Sequence, residues 1–163
     1  MSASSLREEL QHFRYKGNPI HPALIEDFVG PLDGSPPRTI LIDIDKADTV
    51  VTPIAYRDFH GFVSYSDSER HGDEGYFKYH YLGRTPAGTY VIKTASSGGG
   101  SGVFMTLLFL RCRVETPGPR LLLECLGEFC LGDRDNGTVR LEGDNILIGA
   151  SKYRAQEVIL DLR

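Results

Sequence analysis

GYFKYHYL (residues 75–82), GTYVIKTA (88–95) and GVFMTLLFLRCRVE (102–115) are three runs rich in aromatic and β-branched residues, each opened by a glycine. Flat and branched side chains pack well on a pleated surface, while glycine and proline punctuate strand ends. The links between the runs are Gly83-Arg84-Thr85-Pro86-Ala87 and Ser96-Ser97-Gly98-Gly99-Gly100-Ser101. Both are short and turn-forming, so this region predicts three consecutive antiparallel strands at the centre of an all-β fold.

Downstream the same chemistry repeats. Arg120 to Leu131 reads as a strand with Gly127 at a bulge, and Asp133-Arg134-Asp135-Asn136-Gly137 reads as a hairpin turn. Thr138 to Glu142, Asn145 to Ala150 and Ala155 to Leu162 follow as shorter strands, the last with Val158, Leu160 and Leu162 on one face. Upstream, Ile40, Ile42 and Ile44 alternate with Leu41, Asp43 and Asp45, which is the period of a strand with one core face. Val50 and Val51 continue the β pattern, Pro53 argues for an edge or a break, and Phe59 to Ser66 forms another strand. The polar stretch Asp67 to Glu74 then reads as an exposed loop.

Before these strands the period is helical. Ser5 and Glu8 have capping-box spacing ahead of Leu6, Leu10 and Phe13. A second short helix over His21–Gly30 would bury Leu24, Ile25 and Phe28, and the Pro31–Pro37 stretch ends the helical part. The expectation is one domain over residues 1–163, with a helical preface (1–37) packed on an antiparallel β body (38–163). Roughly nine or ten strands at short spacing fit a β-sandwich or a flattened antiparallel barrel with two short N-terminal helices.

The 18 basic and 22 acidic residues give a net charge of −4, and no window concentrates Lys and Arg. Phosphate neutralisation needs such a concentration, so nucleic acid is not an expected partner. No stretch reaches the roughly 18 apolar residues of a membrane-crossing helix. The N-terminal residues turn acidic where an export signal would be apolar, so a cytoplasmic location is expected. The three cysteines, Cys112, Cys125 and Cys130, suit reduced core thiols, although Cys112 and Cys125 also flank a turn across which they could face one another.

Chemistry-bearing patterns are sparse. The glycine loop lacks the lysine and following helix of a phosphate cradle, so it reads as a flexible connection whose small residues would let a partner approach closely. Asp133, Asp135 and Asn136 lack the spacing of a calcium loop, Asp43 and Asp45 lack a third ligand, and the five histidines show no metal-type spacing. No cofactor or metal is expected. Glu69, His71, Asp73 and Glu74 form the densest set of titratable groups, the one place for an acid/base site. Serines lack a nucleophile elbow. Phe77, Tyr79 and Tyr81 share one strand face, which is either core or a contact surface.

These features favour a non-enzymatic binding module whose partner is another protein. The candidate surface is Ser97, Gly98, Gly99, Gly100 and Ser101, with Phe77, Tyr79 and Tyr81, and His71 and Asp73 beside them. The alternative is a barrel that holds a small apolar ligand, and a third reading is an enzyme working through His71.

Overall fold

The strands expected from residue alternation form in a computed structural model that describes residues 8–29, 41–44, 56–57, 60–115, 120–135 and 137–163. In chain order they are β1 (Arg14–Tyr15), β2 (Asn18–Pro19), β3 (Leu41–Asp43), β4 (Tyr56–Arg57), β5 (Val63–Tyr65), β6 (Tyr76–Arg84), β7 (Tyr90–Ser97), β8 (Phe104–Glu115), β9 (Arg120–Asp133), β10 (Val139–Glu142), β11 (Asn145–Ile148) and β12 (Val158–Asp161). Helices α1 (Pro22–Glu26) and α2 (Ser68–His71) are short. All pairings are antiparallel: a β1–β2 hairpin, a seven-stranded sheet in the order β3-β9-β8-β7-β6-β5-β4, and a three-stranded sheet in the order β10-β11-β12. The large sheet curls into a half-barrel, so the fold is all-β as expected.

Both faces of the large sheet are covered, which explains its density of apolar residues. One face carries Tyr79, Tyr90, Ile92, Leu108, Leu110 and Leu123, and it packs against Leu10, Phe13, Ile20, Leu24, Ile25 and Phe28 of the N-terminal segment. The opposite face carries Val91, Leu107, Phe109 and Leu131, and it packs against Ile146 and Ile148 of the small sheet. Each such fully buried side chain contributes about 1.5–3 kcal/mol relative to exposure.

Bulges decide which face each residue joins. Phe109 pairs with Gly127 but Leu110 pairs with Cys125, so Leu126 is the extra residue, next to the glycine expected to mark a bulge. Leu121, Leu123 and Cys125 therefore face the N-terminal layer, whereas Phe129 and Leu131 face the small sheet. A similar shift makes Leu82 the extra residue between Tyr81 and Gly83, so that Leu82 and Gly83 both lie toward the small sheet.

Two short N-terminal helical segments form as expected, the first ending sooner than its apolar spacing implies. Residues 8–11 are helical, but Phe13 takes φ 54° and Lys16 takes φ 49°, which opens the chain into the β1–β2 hairpin. Phe13 still reaches the core, although the helix ends before it. Helix α1 is shorter than the expected His21–Gly30. His21 caps it by accepting from the Ala23 N–H at 3.1 Å, with Pro22 at the first helical position. Asp67–Glu74 is also not a simple loop. Asp67 accepts the Glu69 N–H and caps α2, and Gly72 ends that helix at φ 75°, a backbone angle that side-chain-bearing residues rarely take. The Ser5 cap, Leu6, Pro31–Pro37, Ile40, Asp45, Val50, Val51 and Pro53 lie outside the described residues.

Candidate functional site

Helix α2 hangs from the end of β5, and the polypeptide then turns through Asp73 and Glu74 into β6. Because Tyr76 pairs with Ser97, the loop that follows β7 lies beside this turn. A side chain built on Gly99 would meet Glu74 and the Gly75 backbone at about 3.5 Å, and one on Gly72 would meet the Gly98 carbonyl at 3.7 Å. The glycine loop and the α2–β6 turn thus form one rim. Gly98, Gly99, Gly100, Ser101, Asp73 and Glu74 are exposed there. Phe104 adds an apolar surface 39% exposed, with its ring packed near Gly102.

The other residues of the expected surface lie elsewhere. Phe77 and Tyr79 are 1% and 2% exposed, so they are core and present nothing to a partner. Their strand face is the one covered by the N-terminal segment, and Tyr79 donates its hydroxyl hydrogen bond to the Ile20 carbonyl at 2.5 Å. Tyr81 is half-buried, stacks on Phe13 and donates to the Gln11 carbonyl at 2.8 Å. Ser97 is buried, whereas Gly98, Gly99, Gly100 and Ser101 are exposed.

His71 also points inward, away from the rim. Its Nδ1 accepts the Asp67 N–H at 3.1 Å, so the proton of the neutral ring sits on Nε2, 2.7 Å from Glu26 Oε1. Glu26 also accepts from the Tyr65 hydroxyl and from Arg70 Nη1 at 3.1 Å, while Arg70 Nη2 reaches Asp27 at 3.2 Å. Burial, reinforced by the Glu26 carboxylate, pushes the Tyr65 phenol well above its ordinary range. Glu26, Asp27, Tyr65, Arg70 and His71 therefore brace α1 to α2. Both ring nitrogens of His71 are thus engaged within this brace.

A second polar cluster fastens the small sheet. Asp135 accepts from Gly137 N–H at 2.7 Å, from Ser151 Oγ at 3.0 Å and from Arg154 Nη2 at 2.8 Å. The Asp135 side chain is fully buried and that of Arg154 is 11% exposed. Arg154 also donates to the Leu131 and Gly149 carbonyls. Burial pulls the nearby Lys93 ammonium below its usual range, with Asp135 opposing and Arg154 adding to the effect. Asp135, expected in a hairpin turn, is buried and joins β9 to the segment before β12.

The remaining candidates resolve simply. Asp43 pairs with Arg120 at 2.9 Å. All three cysteines are free thiols, with Cys130 exposed rather than in the core. Cys112 pairs with Leu123 and Cys125 with Leu110, so those two are diagonal rather than opposed. Among the described residues no group of three or more His, Cys, Asp and Glu is arranged to hold a metal ion. No helix of the described residues is long and apolar enough to cross a membrane. A cleft of about 240 Å³ opens between the N-terminal hairpin and the β5–β6 edge, lined by His12, Phe13, Pro19, Val63, His80 and Tyr81 among others.

No family model, no curated protein and no solved structure matches the chain.

Proposed function

We propose that the protein is a binding module for another protein and that the rim made by the α2–β6 turn and the glycine loop is its contact surface. The observation that carries this reading is the convergence of two exposed loops, separate in sequence, at the ends of β6 and β7. Glycines there leave backbone N–H and carbonyl groups reachable, Phe104 offers apolar area, and Asp73 and Glu74 favour a partner with basic residues. The free thiols support a reducing, cytoplasmic setting.

The test compares retention of partners from native lysate by the tagged wild type and by an Asp73→Lys, Glu74→Lys, Phe104→Asp variant. The variant's fold is checked by circular dichroism. A protein retained by the wild type and lost by the variant supports the rim. Equal retention by both, or no specific protein with either, contradicts it.

A small-ligand reading rests on the 240 Å³ cleft. That volume is below the roughly 300 Å³ at which ligand pockets begin. This reading therefore stands second.

A further inference from the structure

The small sheet ends in an open edge. Strand β12 pairs with β11 through Ile148↔Val158, Ile146↔Leu160 and Asn145↔Asp161, and among the described residues no strand pairs with its other side. Leu162 N–H donates to the Asp144 carbonyl at 2.9 Å. In an antiparallel ladder the hydrogen-bonded residues alternate, so Leu160 and Val158 also face β11 with their backbone groups. The N–H and carbonyl groups of Ile159 and Asp161 therefore point outward from the sheet. Natural edges are blunted by proline, bulges or inward charges, yet the described β12 has none of these. Its outer face instead carries Ile159, 62% exposed. Its inner face carries Val158, Leu160 and Leu162, all only partly buried, so the apolar layer beneath the small sheet is open at this margin.

We propose that β12 pairs with β12 of a second copy of the chain, antiparallel about a two-fold axis at Leu160, joining two small sheets into one of six strands. Side-chain chemistry selects the occupant and the register. A two-fold axis normal to the sheet pairs only residues of the same face. Centred on Leu160, it sets Leu160 against the partner's Leu160 and Val158 against the partner's Leu162, which closes both open apolar margins. The outward groups of Ile159 meet those of the partner's Asp161, which also have no strand partner. On the outer face, Glu157 meets the partner's Arg163.

Moving the axis to Ile159 sets Glu157 against the partner's Asp161, and moving it to Asp161 sets that carboxylate against itself. Like charges directly opposite destabilise a sheet, so the Leu160 register is favoured over both of these. The flanking ions lie exposed on the sheet: Arg163 holds Asp161 at 2.6 Å and Glu157 lies 4.0 Å from Arg140. This surface is separate from the rim proposed for protein binding.

Sedimentation equilibrium of the full chain tests the pairing. The expected result is a monomer–dimer equilibrium. Glu157→Arg alone and Arg163→Glu alone each weaken it about tenfold, because each turns two attractive pairs into repulsive ones. The double exchange restores it. Ile159→Pro removes an outward N–H without touching the β11 ladder and also abolishes the dimer. A chain that stays monomeric up to about 1 mM overturns the proposal. So does a dimer indifferent to these changes, or a double exchange as weak as the single ones.

Discussion

The two coverings of the large sheet are built on opposite principles. The N-terminal layer buries Leu10, Phe13, Tyr15, Ile20, Leu24, Ile25 and Phe28 almost completely, and its polar brace sits at the margin, with Arg70 and Glu26 side chains 46% and 22% exposed. The small sheet buries only Ile146 and Ile148 to that degree, while Val139, Leu141, Val158, Leu160 and Leu162 stay partly accessible. Its polar fastening, Asp135 with Arg154, is buried. Apolar area thus holds one layer, and a desolvated, hydrogen-bonded ion pair locates the other. An exposed pair contributes little, whereas breaking a buried one strands a charge away from water.

Arg154→Ala leaves the Asp135 carboxylate buried without its counter-ion and should cost about 4 kcal/mol. Urea unfolding monitored by fluorescence or circular dichroism would read this as a lowered midpoint. A change below about 1 kcal/mol would mean that Asp135 is not the fastening. Ile25→Ala, by contrast, should cost about 3 kcal/mol through the cavity it leaves in the N-terminal layer. Tyr65→Phe removes one hydrogen bond from a Glu26 that keeps His71 and Arg70, so about 1 kcal/mol is expected. If Tyr65→Phe cost as much as Ile25→Ala, the N-terminal layer would be held by its brace rather than by its apolar area.

A gentler probe uses pH. Burial raises the Cys112 thiol from 9.0 to about 11 and the Tyr90 phenol from 10.0 to about 12. Both belong to the face covered by the N-terminal segment. Above pH 9 the unfolded chain releases protons that the folded chain retains. The stability these groups supply is therefore full below about pH 9 and falls as pH rises through about 12. Urea midpoints measured across that range should decline, and Cys112→Ala should flatten the lower part of the decline.

The central strands and their layering by alternation were legible in the sequence, because period two needs only near neighbours. What alternation could not show was where the period slips. Leu121, Leu123, Cys125, Phe129 and Leu131 share one parity in the chain, yet the bulge at Leu126 divides them between two faces. The α2 helix did carry a signal, since Asp67 and Gly72 are suitable cap residues on either side of Ser68–His71. The polar fastenings carried none: Glu26 meets His71 across 45 residues, and no local pattern joins Asp135 to Arg154. Of the expected contact surface, the glycine loop and Asp73 lie on the rim, whereas Phe77 and Tyr79 belong to the core. A run of tyrosines has the same spacing whether its face meets solvent or another layer.

Native-state hydrogen exchange of Arg154→Ala against the wild type tests this contrast most directly. The account predicts that amide protection falls selectively in β10, β11 and β12, while β7, β8 and the N-terminal layer keep theirs relative to global unfolding. Uniform loss across all strands, or unchanged protection in β10–β12, would contradict it.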